Sequence, residues 1–93
     1  MATWDERKRR QVIKDHRIDF ARIDDVFDDP HAIYIEDFDH NDSEERWKII
    51  ARSSEYGLIC VVITFRDEDI HLITARHAER WMVNDYEEQR KRT

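Results

Sequence analysis

Three segments rich in β-branched and aromatic residues, 46–53, 58–65 and 70–76, follow one another with only short connections between them. A crossover between parallel strands needs a dozen or more residues, so these segments must pair as antiparallel neighbours. Polar and apolar residues alternate in 46–53, whereas 58–65 is apolar on both faces, as expected of a central strand. Gly57 suits the first connection because glycine adopts a positive φ without strain. The spacing therefore excludes a parallel central sheet.

The first half of the chain and its last residues are predicted to be helical. Residues 5–17 form a charged helix, and Asp19 is a typical N-cap for a second helix that ends before Pro30. A short β-rich run around Tyr34 adds a fourth strand, and a last helix follows residue 76. The predicted fold is α+β: an antiparallel four-stranded sheet with two N-terminal helices and a C-terminal helix, all packed on one face. Its predicted core contains Phe20, Ile23, Phe27, Ile49, Cys60, Val62, Leu72 and Trp81.

Length and composition indicate a single domain, 1–93, and a domain this small gains stability from a partner. Hydrophobic residues make up 40% of the chain, which is too much apolar content for a disordered protein. The one cysteine, Cys60, lies in an apolar run, which predicts a buried thiol rather than a disulfide. No apolar stretch reaches the ~20 residues that span a bilayer, and the first residues do not form a signal peptide. We therefore expect a cytoplasmic protein without membrane contact.

Basic residues recur on one face of the predicted sheet, although the net charge of the chain is −6. They are Arg46, Lys48 and Arg52, which alternate along one strand, and Arg76, His77 and Arg80, around the end of the last strand. If these strands are neighbours, the charges form one positive face that can neutralise phosphates. A solvated sheet face also often carries Lys and Arg, so the spacing alone favours neither interpretation.

Motifs for other chemistry are weak or missing. One glycine cannot form a phosphate-binding loop, and neither CxxC nor HExxH occurs. His71 is predicted to be a hydrogen-bonded histidine of the sheet face, with an acid or base role as the alternative. Trp47 and Trp81 are predicted to lie in the core rather than to stack on bases. An acidic segment predicts a solvated loop, with a hard-cation site as the alternative; it holds Asp37, Asp39, His40, Asp42, Glu44 and Glu45.

Several short segments occur in an order that points to one family. They are Trp4-Asp5, DHRIDF at 15–20, VFDDP at 26–30, EER at 44–46, ARS at 51–53, ITARHA at 73–78 and YE at 86–87. This ordered set resembles the BrnT family of type II toxins over nearly the whole chain. The resemblance implies a RelE-like fold and a ribonuclease toxin that arrests growth by blocking translation.

The same resemblance implies a partner. Members of the family pair with a BrnA-type antitoxin, which neutralises the toxin and carries the DNA-binding part, so that the complex, expected to be a heterotetramer, represses its own operon. This chain departs from the family pattern at Asp15 and Arg17, where the family has Lys and Gly. It also has Trp81-Met82-Val83 where the family carries a charged run. These departures leave open an interaction module that binds the antitoxin with weakened RNA turnover.

The catalytic prediction is cleavage of RNA without a metal or other cofactor, by attack of a ribose 2′-hydroxyl on the adjacent phosphate. This reaction needs a base, a cation and an acid. Arg52 and Arg76 are the predicted phosphate ligands because a guanidinium fork suits a phosphate. His77 is the predicted acid or base, with Glu45 as the alternative base and Tyr86 as a weaker candidate for either role. The predicted RNA-binding set is completed by Arg46, Lys48, Arg66 and Arg80. A metal-dependent nuclease that uses the acidic segment is a further alternative.

Overall fold

A computed structural model describes residues 2–37 and 44–92, and its elements follow the chain in this order. They are β1 (Ala2–Trp4), α1 (Glu6–His16), two 3-10 turns (Phe20–Arg22 and Asp24–Asp28), β2 (Ile33–Glu36), β3 (Arg46–Ser53), β4 (Gly57–Arg66), β5 (Asp69–His77) and α2 (Arg80–Arg92). The predicted strand 46–53 is confirmed, and the strands predicted at 58–65 and 70–76 are each one residue longer at both ends. Within the described residues, no helix is long and apolar enough to cross a membrane.

The sheet has five strands in the order β1-β5-β4-β3-β2 and is mixed. The strands β2 to β5 are antiparallel neighbours, as their connections predicted. β1 pairs with β5 in parallel, with Ala2 beside Ile70 and Trp4 beside Leu72. The predicted purely antiparallel, four-stranded sheet is therefore wrong. A three-residue strand is too short to show an alternating pattern, and its partner lies at the other end of the chain, so only tertiary packing selects it.

The first predicted helix is confirmed, but the second does not form. Asp5 caps α1 by accepting a hydrogen bond from the backbone N–H of Arg7 at 2.9 Å. Asp19 is also a cap, but it opens two short 3-10 turns instead of an α-helix. The buried residues of these turns, including the one between them, are Phe20, Ile23 and Val26, spaced three apart. That spacing fits the three residues per turn of a 3-10 helix as well as it fits one face of an α-helix, so the pattern was ambiguous.

The helices were predicted to pack on one face of the sheet, but in the structure they cover both faces. The first face, which we call the core face, carries Ile49, Ile59 and Val61 and is covered by α1 and the 3-10 turns. The opposite face, which we call the α2 face, carries Ile50 and Cys60, and Met82 and Tyr86 of α2 pack on it. Successive residues of a strand point to opposite faces, so the apolar character of 58–65 on both sides reflects helices on both sides.

The predicted core is confirmed at most positions and wrong at one. Trp81 is 44% exposed, and its place in the core is taken by the fully buried Met82 and by Tyr86. Val62 and Phe27 are half-buried, and Cys60 is buried as expected. Burial raises the pKa of the Cys60 thiol, against the opposing effect of neighbouring cations. Met82 therefore provides packing between α2 and the sheet.

An irregularity in β5 sets the direction of its last side chains. In β4, Val62 pairs with Thr74, and the next residue, Ile63, pairs with Leu72. Ile73 is therefore left as an extra, unpaired residue on β5. Such a bulge reverses the alternation of the strand beyond it. Leu72 and Ala75 consequently both lie on the core face, and the residues beyond the bulge are assigned to faces by their β4 partners.

Candidate nucleic-acid interface

The arginine and lysine residues of β3 share the α2 face with Arg76 of β5. Arg46, Lys48 and Arg52 alternate with Trp47, Ile49 and Ala51, which belong to or pack against the core on the other side. Arg76 pairs with Cys60, which in turn pairs with Ile50 of the α2 face. β3 and β5 are not neighbours, because β4 lies between them, but Arg46, Lys48 and Arg76 still lie on the same face of the sheet.

Beside α2 this surface forms a cavity of about 330 Å³, which we call the basic cleft. Three cations surround it, namely Arg46, Lys48 and Arg76, together with His16 and Asp37, above a floor of Cys60, Val62, Ile73 and Thr74. Arg76 forms an ion pair with Glu79 at 2.7 Å, and both side chains remain almost half exposed. Among the described residues, the buried Nε atom of Arg46 has no hydrogen-bond partner. The half-exposed guanidinium of Arg76 leaves donors in the cleft for an anion.

His16 reaches the cleft from the last turn of α1. β1 pairs with β5 only as far as Leu72, and α1 packs against β5 as well. The helix ends at His16 and is capped by Arg17, whose φ of 61° is left-handed and whose N–H donates to the carbonyl of Ile13 at 2.9 Å. His16 is exposed and lines the same cavity as Arg76. It was not among the predicted site residues, although the segment 15–20 that contains it had been singled out.

A second cluster, which we call the tyrosine cluster, consists of Asp29, Arg52 and Tyr86. The buried hydroxyl of Tyr86 donates to Asp29 Oδ2 at 2.8 Å, and the backbone N–H of Arg52 donates to the same oxygen at 2.8 Å. The guanidinium of Arg52 lies over the ring of Tyr86, 5.6 Å from its centroid, and contacts Glu87 at 3.4 Å. Through Asp29, the cluster connects the VFDDP segment to both β3 and α2. This segment therefore helps to hold α2 against the sheet.

Burial and hydrogen bonding act in opposite directions on the carboxyl group of this cluster. Burial alone would raise the pKa of Asp29, but donors from Arg52, His31 and Tyr86 outweigh it and lower the pKa. Burial, aided by the hydrogen bond to Asp29, raises the pKa of Tyr86. Tyr86 is thus a neutral donor to a charged carboxylate, an arrangement suited to holding the fold rather than to transferring protons to a substrate.

The structure does not bring all predicted catalytic residues together. Arg76 lines the basic cleft, whereas Arg52 lines a different depression that also contains His31 and three aspartates. His77 pairs with Ile59 and therefore lies on the core face, opposite Arg76. Glu45 accepts a hydrogen bond from Trp47 Nε1 at 2.8 Å, on the core-face side of β3. Adjacent residues of a strand point in opposite directions, so the sequence neighbours of Arg76 and Arg46 face away from the cleft.

The remaining predicted residues are dispersed. Arg66 forms two hydrogen bonds of 3.0 Å to Glu44 and one contact of 3.2 Å to His71, at the turn between β4 and β5. Thr3 contacts the other ring nitrogen of His71 at 2.9 Å, and burial, followed by the charge of Arg66, lowers the pKa of His71. The prediction of a hydrogen-bonded sheet-face histidine is confirmed. Arg80 is exposed at the start of α2.

The structure describes only part of the acidic segment. Glu44 binds Arg66, which lowers the pKa of its carboxyl, and Asp37 is buried at the edge of the basic cleft. The predicted ligands Asp39, His40 and Asp42 lie outside the described residues. Among the residues that are described, no three His, Cys, Asp or Glu side chains converge as a metal-binding group.

Comparison with known proteins places the chain in a family. Residues 4–81 match the family model described as ribonuclease toxin, BrnT, of type II toxin–antitoxin system. A 1.1 Å crystal structure of the ribonuclease toxin BrnT from Brucella abortus is similar in fold, with a TM-score of 0.69 and 24% identity over 86% of this chain and 99% of that one. A search of curated proteins found no match.

Proposed function

This chain belongs to the BrnT family of ribonuclease toxins of type II toxin–antitoxin systems, and we propose from that premise that it cleaves RNA in the basic cleft. The observation that carries the proposal is the convergence of Arg46, Lys48, Arg76 and His16 on one cavity. The net charge of −6 would repel a polyanion on average, so binding requires that cations be gathered in one place. The cleft meets that requirement.

The proposed reaction is a transfer within the RNA strand. The 2′-oxygen of a ribose forms a bond to the adjacent phosphorus, and the bond from phosphorus to the 5′-oxygen breaks. The products are a 2′,3′-cyclic phosphate and a 5′-hydroxyl. A base removes the proton of the 2′-hydroxyl, and an acid supplies a proton to the departing 5′-oxygen.

The three cations and the histidine of the cleft each have a role in this reaction. Arg76 binds the scissile phosphate and stabilises the charge that develops on its oxygens, since a planar guanidinium can donate two hydrogen bonds at once. Arg46 and Lys48 hold the neighbouring phosphates. His16 accepts the proton of the 2′-hydroxyl and, as imidazolium, delivers a proton to the departing 5′-oxygen, because imidazole both accepts and donates protons near neutral pH. The ion pair of Arg76 with Glu79 orients the guanidinium, whose remaining N–H donors bind the phosphate.

We propose that no metal ion takes part in cleavage. Three fixed cations around the cleft supply the positive charge that a metal would otherwise bring, and they would repel a divalent cation. The donor set of the cleft is nitrogen-rich, whereas hard cations prefer several oxygen ligands. Cleavage is expected to continue in EDTA.

We further propose that a BrnA-like antitoxin neutralises the toxin in a hetero-oligomer, and that DNA is contacted only through that antitoxin. The support is membership of a family defined by a toxin–antitoxin pair. Induction of the chain alone in bacteria should block translation and arrest growth. Co-expression of the antitoxin should restore growth, and the two proteins should elute together on size exclusion. Growth arrest that the antitoxin does not relieve would contradict this pairing.

The test of the site compares two histidines. His16→Ala should lower RNA cleavage by at least about 100-fold, within the range for loss of a general acid or base. His77→Ala is the matched control, because it removes an exposed imidazole from the opposite face, and it should retain full activity. Loss of activity in His77→Ala with no loss in His16→Ala would make His77, as the sequence predicted, the acid or base. A wild-type protein that binds the antitoxin but cleaves no RNA would instead identify an interaction module.

A further inference from the structure

An exposed tryptophan adjoins the basic cleft. Trp81 Nε1 donates a hydrogen bond to Glu79 Oε2 at 3.1 Å, and the other oxygen of the same carboxylate pairs with Arg76 at 2.7 Å. One carboxylate therefore holds both the indole ring and the proposed phosphate ligand. Nε1 lies on the edge of the indole, so this bond fixes the ring without occupying either of its faces. The side chain is left 44% exposed.

The other exposed large hydrophobic residues are placed differently. Tyr34 pairs with Ile49 and Phe65 pairs with Ile70, both of which pack with the core face. Of the large hydrophobic residues that are exposed in the described part of the chain, only Trp81 is thus linked to the basic cleft. Protein-docking surfaces are contiguous apolar patches of several hundred Å², which a single ring does not form. One planar ring beside a cation matches a nucleotide, which carries one base next to one phosphate.

We propose that Trp81 forms a nucleobase-binding subsite, on which one base of the RNA stacks while the adjoining phosphate binds Arg76. The inference rests on the proposed function, because it gives the RNA in the cleft a fixed position. Stacking on an aromatic ring accepts every base, so Trp81 sets the register of the strand rather than its sequence. Arg80 is exposed at the start of α2 and adds positive charge at that end of the helix. Trp81 takes no part in bond making or breaking and acts through binding.

The experiment measures binding of a short RNA that cannot be cleaved because every ribose carries a 2′-O-methyl group. A second oligonucleotide has the same backbone with abasic positions throughout. Trp81→Ala should weaken binding of the first by about tenfold, within the range for loss of one stacked base. Trp81→Phe, which keeps a ring, should bind within about threefold of wild type. Phe65→Ala, which removes an exposed ring from the opposite face, should bind as wild type does.

The abasic oligonucleotide separates stacking from a structural effect. Wild type and Trp81→Ala should bind it equally, whereas Arg76→Ala should bind both oligonucleotides weakly. Equal binding of the intact oligonucleotide by wild type and Trp81→Ala would overturn the inference. An equal loss on both oligonucleotides would overturn it too, because the substitution would then act through the fold. Unchanged RNA binding together with weaker antitoxin binding would make Trp81 a protein contact and would also overturn it.

Failure of the inference and failure of the proposed function give different results. A wild-type protein that shows the expected stacking pattern but cleaves no unmodified RNA supports the base subsite and refutes the proposed reaction. A protein that cleaves RNA while Trp81→Ala binds normally refutes only the subsite. A wild-type protein that binds neither oligonucleotide overturns both.

Discussion

Replacing Tyr86 with phenylalanine tests whether the tyrosine cluster holds the fold or performs chemistry. The substitution removes one oxygen, which is buried and donates to Asp29 at 2.8 Å. A hydrogen bond to a charged group contributes about 1.5–3 kcal/mol to stability. Asp29 keeps donors from the backbone N–H groups of Arg52 and His31, at 2.8 and 2.9 Å. We therefore expect the lower part of that range, about 1.5–2 kcal/mol, and a fall in Tm of roughly 6–16 °C for a domain this small.

The effect of Tyr86→Phe should depend on pH in a defined direction. The pKa of Asp29 is lowered in the folded protein, because three hydrogen bonds outweigh the opposing effect of burial. A carboxyl whose pKa is lowered on folding stabilises the protein above its unfolded pKa, near 3.9, and this stability is lost as the pH falls through the folded pKa. A protonated Asp29 also accepts a weaker hydrogen bond from Tyr86. The difference between wild type and variant should therefore be largest at neutral pH and shrink toward pH 3.

Urea unfolding of both proteins at pH 7 and pH 3, followed by circular dichroism, measures this difference. Tyr34→Phe is the matched control, since it removes the hydroxyl of a tyrosine that is 52% exposed, and it should change stability by less than about 0.5 kcal/mol. RNA cleavage by Tyr86→Phe should be normal at 20 °C. A variant as stable as wild type but inactive on RNA would refute the structural assignment and make Tyr86 a catalytic group.

Three further substitutions test the packing and the placement of side chains. Asp19→Ala removes the cap of the first 3-10 turn and the two contacts with Arg9, at 2.7 and 3.0 Å. It should cost about 2 kcal/mol in urea unfolding at pH 7 and less at pH 3, because Arg9, the largest influence, lowers the pKa of Asp19. Met82→Ala should lower the free energy of unfolding by about 2–5 kcal/mol in the same assay, since Met82 is a fully buried side chain of α2. A change below about 1 kcal/mol would show that α2 does not pack on the sheet there. Glu45→Ala should cleave RNA at the wild-type rate, because its carboxylate binds Trp47 on the core-face side, and a 100-fold loss would return Glu45 to the list of bases.

The part of the site prediction that was correct came from the alternation of side-chain directions along the strands. In 46–53 the basic residues are in phase with one another and with Ile50, whereas Trp47, Ile49 and Ala51 are out of phase, so Arg46, Lys48 and Arg52 could be placed on one face from spacing alone. The same rule, applied to 76 and 77, would have separated Arg76 from His77. The prediction placed the two side chains on the same face only because they are adjacent in sequence. The bulge at Ile73 could not be foreseen, because the extra residue is apolar and keeps the segment looking like an ordinary strand.

Features that depend on distant contacts were not predictable. β1 consists of three residues whose partner is β5, so no local pattern distinguishes it from a loop. The spacing of Phe20, Ile23 and Val26 fits two kinds of helix, and packing against the sheet decides between them. His16 is one of several polar residues of a charged helix, and only the end of α1 beside the edge of β5 makes it part of the cleft. The prediction that Trp81 lies in the core was wrong because Met82, one residue later, is the side chain that is fully buried there.

The central claim, that RNA is cleaved at the basic cleft by fixed cations, is tested most directly with Arg76→Ala. End-labelled RNA is incubated with wild type, Arg76→Ala and Arg7→Ala in EDTA, and the product ends are identified. Arg7→Ala is the control because it removes one charge from the exposed surface of α1. The account predicts 2′,3′-cyclic phosphate ends from wild type and Arg7→Ala, and a loss of at least about 100-fold in Arg76→Ala, as for removal of one charge-stabilising donor. Undiminished cleavage by Arg76→Ala, or cleavage by wild type that stops in EDTA, would contradict it.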